Sequence, residues 1–252
     1  MEFKSAGSTD VGRLREANED AFLIHQERKL YIVADGMGGH QGGGFASKKV
    51  LELILYELDR LEQMQDTTQP LQTLEERTIT QFRLLRALQR ANQSLFEISL
   101  KEPNLRGMGT TLTALQFDER FANIAHIGDS RAYLMRNGAV TQLTEDHSWV
   151  QEQVKMGLLT LEEAKNHPLK NIITRSMGHE RDVKVDLSKT EYKAGDKFLL
   201  CSDGLTNMVA EEEIYKIARE NALQDAISRM IQRANEEGGY DNITIVLLEV
   251  LA

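Results

Sequence analysis

Three short apolar runs in this chain each end at a turn-forming acid. Leu30-Tyr31-Ile32-Val33-Ala34 runs into Asp35-Gly36, Ala125-His126-Ile127 into Gly128-Asp129, and Phe198-Leu199-Leu200-Cys201 into Ser202-Asp203-Gly204. An apolar run closed by such a turn reads as a buried strand opening into a tight bend. Asn18-Glu19-Asp20 and Asp241-Asn242 add two further acidic turns. If these strands lie side by side, their ends bring four or five carboxylates together. Carboxylates that close repel, and without compensation some stay protonated. A bound divalent cation is the usual compensation. The plain alternative is turn chemistry alone at each position, which explains one such turn better than a set of them at strand ends.

The 252 residues suffice for one large domain, read here as spanning 1–252. At 41% hydrophobic and 27% charged, the composition is that of an ordinary globule. No apolar stretch approaches membrane-spanning length, and Met1-Glu2-Phe3-Lys4-Ser5 has no hydrophobic signal region. One cysteine, Cys201, rules out an internal disulfide framework and suits a reducing compartment. The expected setting is therefore a cytoplasmic protein, read as a monomer, with no membrane partner. The net charge of −9 argues against nucleic acid as a partner, since phosphate backbones need basic surfaces.

Periodicity predicts a helix over about 45–61, a loop over 63–73 and a second helix over about 74–100, with Leu84, Leu88, Ala91, Leu95 and Ile98 on one stripe. Strands follow over 110–117, 121–127, 132–135 and 140–143, the last two flanking the hairpin signal Asn137-Gly138. Residues 145–178 read as a small flap of two short helices. The second of these opens with the capping-box pattern Thr160-Leu161-Glu162-Glu163. Helices over 214–218 and 223–234 and a final strand over 243–250 complete the chain. Strand meanders and blocks of helix together indicate an α+β layered domain with helices covering sheets.

The recurring acids supply oxygen ligands, with no His or Cys at regular spacing. Hard cations such as Mn²⁺ or Mg²⁺ suit that set better than zinc. No Gly-Lys-Ser/Thr is present, so a P-loop is excluded, and Gln41 stands where a dinucleotide fingerprint needs its third glycine. Cys201 lacks the downstream arginine of a cysteine-dependent phosphatase and reads as a buried strand thiol.

The ordered motifs Thr9-Asp10-x-Gly12-x-x-Arg15-x-x-Asn18-Glu19-Asp20, Val33-Ala34-Asp35-Gly36-Met37-Gly38-Gly39-His40, Gly107-Met108-Gly109-Thr110-Thr111, Gly128-Asp129-Ser130-Arg131, Leu143-Thr144-x-Asp146-His147-Ser148, Cys201-Ser202-Asp203-Gly204-Leu205-Thr206-Asn207 and Gly239-x-Asp241-Asn242 closely resemble those of bacterial type 2C (PPM family) protein Ser/Thr phosphatases. The resemblance covers almost the whole chain. It implies a layered αββα sandwich of two mainly antiparallel sheets flanked by helices, with a small helical flap. It also implies metal-dependent hydrolysis of phosphoserine and phosphothreonine in proteins, opposing a cognate eukaryotic-like Ser/Thr kinase on that kinase's substrates.

By the same resemblance, two or three divalent cations, Mn²⁺ or Mg²⁺, would be held. Asp35 would bridge the central pair, Asp203 and Asp241 would complete the first site, and the Gly36 carbonyl would ligate the second. Glu19 and Asp20 would hold metal-bound waters, and Asp129 with Asp203 would form a third site. Arg15 matches the arginine that grips the substrate phosphate, a task its bidentate fork suits. His40 follows Asp35-Gly36 with three residues between and is the candidate general acid for the leaving alkoxide. His25, His126, His147, His167 and His179 read as structural. A pseudophosphatase would lack a ligand at Asp35, Asp203 or Asp241, and all three are present. A hydrolase of small phosphate esters is the other alternative, and such a substrate needs no flap.

Overall fold

Alternation along the strands sets the layers. In a computed structural model describing residues 1–38, 42–63 and 78–252, the strands are β1 (Phe3–Asp10), β2 (Ala21–His25), β3 (Leu30–Ala34), β4 (Gly36–Met37), β5 (Gly109–Thr110), β6 (Leu112–Phe117), β7 (Phe121–Ile127), β8 (Arg131–Arg136), β9 (Ala139–Gln142), β10 (Asp186–Glu191), β11 (Lys197–Cys201) and β12 (Ile243–Val250). The helices are α1 (Gly42–Gln63), α2 (Ile79–Lys101), α3 (Trp149–Lys155), α4 (Leu161–Lys165), α5 (Asp203–Thr206), α6 (Glu211–Glu220) and α7 (Leu223–Glu236). One sheet orders β1-β12-β11-β8-β9, a second orders β10-β7-β6-β3-β2, and β4 pairs with β5. Every pairing is antiparallel.

On β3, Leu30, Ile32 and Ala34 pack under α1 and α2, while Tyr31 and Val33 face the other sheet. On β11, Leu199 and Cys201 pack under α6 and α7, while Phe198 and Leu200 face inward. β12 splits the same way, with Ile243, Ile245 and Leu247 outward and Val246, Leu248 and Val250 inward. Period two with both faces buried requires a continuous apolar run. The result is the αββα sandwich. Phe117 stands edge-on to Phe198 of the opposite sheet at 5.2 Å and to Tyr31 at 6.0 Å, geometries that aromatic quadrupoles favour.

Several boundaries differ from the sequence reading for local reasons. The helix expected to begin near Leu74 starts at Ile79, because Thr78 caps it and Gln81 returns the bond to the Thr78 amide, a complete capping box. The loop expected over 63–73 falls, beyond Gln63, outside the described residues. α1 starts earlier than periodicity suggested, on three glycines whose low helix propensity hid them. Their absence of side chains has a use: a Cβ on Gly43 would sit 2.8 Å from Glu19 Oε1 and from the Gly36 carbonyl carbon. The strand expected over 110–117 divides at Thr111, whose amide leaves the sheet to bond the Asp35 carbonyl at 2.8 Å. The hairpin turns as expected, with positive φ at Asn137 and Gly138.

Residues 145–178 carry α3, capped by Ser148, and α4, which opens with the expected capping box at Thr160 and Glu163. An isolated bridge between Ser148 and Ile173 closes the segment on itself, and one between Thr110 and Met177 joins it to the sandwich. No helix among the described residues is long and apolar enough to cross a membrane.

Candidate active site

The acidic strand ends do not lie in one sheet, as side-by-side packing of those strands would have it. β3 and β7 belong to one sheet and β11 to the other. Strand register nevertheless gathers them. Ala21 faces Ala34 and Leu112 faces Ile127 in one sheet, while Arg131 faces Cys201 and Asp10 faces Ile243 in the other. Two hydrogen bonds close the sheets onto each other at this end. Ser202 Oγ donates to Asp20 Oδ2 at 2.7 Å, and the Thr111 and Ser130 hydroxyls meet at 2.8 Å.

Asp35 is held by its backbone. Its amide donates to Thr111 Oγ1 at 2.9 Å, and its carbonyl accepts from the Thr111 amide and from Thr110 Oγ1. The backbone bonds leave the carboxylate to its acidic neighbours, of which Asp20 shares a hydrogen bond with it. Gly36 follows because nothing larger fits: a Cβ there would lie 2.2 Å from the Gly43 carbonyl oxygen and 2.5 Å from that of Glu19. Asn242 organises the Glu19–Asp20 turn. Its Oδ1 accepts from the Glu19 amide at 2.8 Å, while its Nδ2 donates to the Val11 and Ala17 carbonyls. Asn207 Nδ2 donates to Asp203 Oδ2 at 2.9 Å.

These acids perturb one another. Desolvation, then the charges of Asp20, Asp203, Asp129 and Asp241, raise Asp35 well above the ordinary carboxylate range. Burial and the charges of Asp241 and Asp20 push Asp203 up to about 6. Burial also takes Asp20 to about 6, against the hydrogen bonds it accepts. Asp129 is raised well above its usual value by burial, Asp203 and Asp146. At the rim, Arg15 Nη2 donates to Asp241 Oδ2 at 2.8 Å. That bond is the main cause raising the guanidinium, and the charges of Asp35 and Glu19 add to it. Arg15, expected to face a substrate phosphate, is thus engaged by Asp241 in this state, a contact no sequence signal indicated. His40 lies outside the described residues.

The protein phosphatase 2C family model matches residues 13–249. The chain belongs to that family. It is 41% identical over 245 residues to the serine/threonine phosphatase stp of Listeria monocytogenes, covering 96% of this chain and 93% of that one. It is 40% identical over 251 residues to protein phosphatase PhpP of Streptococcus pneumoniae, covering 96% and 95%. Among solved structures it superposes on the Mycobacterium tuberculosis serine/threonine phosphatase PstP/Ppp with a TM-score of 0.87, at 36% identity and covering all of both chains. The PstP catalytic domain in complex with two manganese ions gives a TM-score of 0.84, at 34% identity and 99% coverage of each chain. The fold, the family and the activity class agree: this is a metal-dependent protein serine/threonine phosphatase of the 2C type.

The residues present fit the divalent cations that the family implies. Asp20 Oδ1 and Asp129 Oδ1 are buried without a hydrogen-bond partner, which is costly for a carboxylate unless a cation faces it. The donors are hard oxygens, as Mn²⁺ and Mg²⁺ prefer. The acids are not gathered into a finished cage, however. Among the described residues no three acidic, His or Cys side chains converge closely enough to hold one ion by themselves. Cations of the Mg²⁺ type keep several waters and need no all-protein cage. Sequence reasoning missed Thr110, Thr111, Ser202, Asn207 and Asn242 as site-building residues. Their signal was their position inside the motifs that name the acids.

Proposed function

We propose that this phosphatase hydrolyses phosphoserine and phosphothreonine in proteins, using two or three Mn²⁺ or Mg²⁺ ions and opposing a cognate Ser/Thr kinase on its substrates. The cytoplasmic, monomeric setting read from the sequence belongs to the same proposal. The observation that carries it is the uncompensated acid cluster, in which Asp35 feels the charges of Asp20, Asp203, Asp129 and Asp241, with a guanidinium at its rim. Asp35, Asp203, Asp241 and the Gly36 carbonyl would hold the central ions, Glu19 and Asp20 their waters, and Asp129 with Asp203 a further ion. Bound cations of this class lower the pKa of water and stabilise charge on a phosphoryl group.

The chain's own contribution is positioning. Thr110 and Thr111 fix the Asp35 backbone, Asn242 fixes the Glu19–Asp20 turn, and Asn207 orients Asp203. Arg15 is 53% exposed and its partner Asp241 35% exposed. An exposed pair is worth about 0–1 kcal/mol, so the guanidinium can leave Asp241 for a phosphate, which it pairs with bidentately. His40 is the chain's candidate proton donor to the leaving serine or threonine oxygen.

The test compares a phosphopeptide with free phosphoserine, in chelator and after Mn²⁺ or Mg²⁺ is restored. Turnover of the peptide that disappears in chelator and returns with metal is expected. Robust turnover in excess chelator overturns the mechanism, and equal kcat/KM on both substrates overturns the protein substrate class. A phosphoproteome comparison with and without the gene, controlled by a metal-ligand variant, tests the opposed kinase.

A further inference from the structure

His147 is buried, burial lowers its pKa, and the Gly128 amide donating to its Nδ1 requires that nitrogen to carry no proton, so the ring is neutral. Its Nδ1 accepts from the Gly128 amide at 2.9 Å, while its own amide donates to the Gly128 carbonyl at 2.7 Å. This two-point lock grips the residue immediately before Asp129. Gly128 stands at φ +107, and a Cβ there would lie 2.6 Å from the Thr111 side chain, so the turn has no slack on its other side. Asp129 itself is 8% exposed, and its Oδ1 has no hydrogen-bond partner. The aim of that carboxylate is therefore set by its backbone turn.

A neutral ring that accepts at Nδ1 carries its proton at Nε2. Nε2 lies 3.1 Å from Asp186 Oδ2 and donates to it. Arg175 Nη1 donates to Asp186 Oδ1 at 2.9 Å. It also lies 2.8 Å from His147 Nε2, so the guanidinium, the ring and the carboxylate form one cluster. On its face the ring stacks against His126, with centroids 4.7 Å apart, and His126 Nε2 donates to the Glu145 carbonyl at 3.0 Å. The Thr174 amide bonds the His147 carbonyl at 2.8 Å, tying the same residue to the far end of the 145–178 segment.

We infer that His147, oriented by Asp186, is a positioning residue that aims Asp129 by holding the Gly128 amide. The inference rests on the metal-site reading of Asp129. It differs from the plain structural role read for this histidine in the sequence, because it requires an acceptor at one ring position only. Asn places its Oδ1 near the position of Nδ1, whereas Gln reaches the position of Nε2.

The experiment measures kcat and KM for a phosphopeptide at saturating Mn²⁺ in His147→Asn and His147→Gln, each alone and combined with Asp129→Ala. Thermal melts confirm folding. His147→Gln should lower kcat about tenfold, the low end for groups that orient a metal site from outside it, with KM little changed. His147→Asn should recover kcat to within about threefold of wild type, since it retains the acceptor. In the Asp129→Ala background neither substitution should lower kcat further, because groups acting through one another are not additive. Asp186→Ala, on a half-exposed edge-strand position, is the second variant should His147→Gln not fold. It should lower kcat in the same direction, and unchanged kcat there overturns the orienting role. Equal kcat in the Asn and Gln variants, or a full Gln loss that persists without Asp129, overturns the inference alone. Wild-type kcat in Asp129→Ala removes the reading of Asp129 and the inference with it.

Discussion

This fold treats its buried acids in two ways. Asp196 is 1% exposed and fully answered: Arg136 Nε and Nη2 donate to its two oxygens at 2.8 and 2.6 Å, and the Lys193 amide adds a third bond. Asp146 is likewise held by Arg131 through Nε and Nη2. At the other acids, Asp20, Asp35, Asp129 and Asp203, no arginine among the described residues forms an ion pair: Arg15 at the rim bonds Asp241, Arg131 acts on Asp129 and Asp203 only through its charge, and Asp20 Oδ1 and Asp129 Oδ1 have no partner. The same chain plainly can neutralise a buried carboxylate with a guanidinium. Where it does not, the compensation has to come from outside the chain, and a divalent cation can supply it. The first acids serve stability and the second are costly to stability until loaded.

The sharpest way to break that contrast is Asp35→Asn. If Asp35 bridges two cations as proposed, a neutral amide cannot replace its charge. The expected loss of kcat/KM exceeds about 100-fold, beyond the usual effect of outer groups at metal sites. The metal-free variant should also melt higher than metal-free wild type, because one repelling charge is gone. A melt that drops instead, as removal of a well-paired acid would give, would show that Asp35 belongs with Asp196 and not with the cluster.

Arg15→Ala comes next in size. Its loss should raise KM for a phosphopeptide by one to two orders of magnitude, on the order of 1.5–3 kcal/mol for a charged hydrogen bond. Mn²⁺ affinity should change little. An unaltered KM would mean that the bond to Asp241 is the whole role of Arg15, a compensating arginine like Arg136.

The layers of the fold were legible because burial on both faces forces continuous apolar runs, and β3, β11 and β12 have them. β1 was not legible: it is half-buried and reads Phe3-Lys4-Ser5-Ala6-Gly7-Ser8-Thr9-Asp10, with little apolar signal. The acids of the site were legible as strand-end turns. That they come from two sheets was not, since register and sheet order arise from pairings as distant as Ser8 with Ile245. Nor was the work of Asn242 or His147, whose importance is one hydrogen bond each to a backbone amide, which composition and spacing do not encode.

A smaller effect follows from pH. Asp20 and Asp203 each rise from 3.8 to about 6 in the metal-free fold. A raised carboxylate binds more protons folded than unfolded, so its stabilising contribution is fully present below about 4 and is lost as pH rises through about 6. Metal-free wild type should therefore lose Tm between about pH 4 and 6 relative to Asp203→Asn, and saturating Mn²⁺ should remove the difference, since metal binding needs the deprotonated ligand. Parallel Tm curves for the two metal-free proteins would show that the cluster is compensated within the chain after all.

The smallest effect concerns the 145–178 segment, proposed as a flap that reads protein around the phosphorylated residue. The bridge between Thr110 and Met177 links it to the sandwich, and its own stacking is internal. Val150 and Ala164 are buried, and Trp149 stacks on His167 at 5.1 Å. Met156, Leu158 and Leu161 are each more than 60% exposed, and Leu169 and Ile172 are also open. Apolar side chains this exposed on so short a stretch contribute little to folding, and surface changes of this kind usually alter stability by about 0.5 kcal/mol or less. On this proposal a phosphoprotein would meet the segment and a small aryl phosphate would not, since segments at a site's edge on a rigid scaffold commonly set specificity. Polar substitutions at Met156, Leu158 and Leu161 should change rates on phosphoproteins several-fold and leave the aryl phosphate near wild type. Rates on both substrates falling in the same proportion across the panel would instead mean that the segment acts inward, through the lock between His147 and Gly128, as a support for the acids.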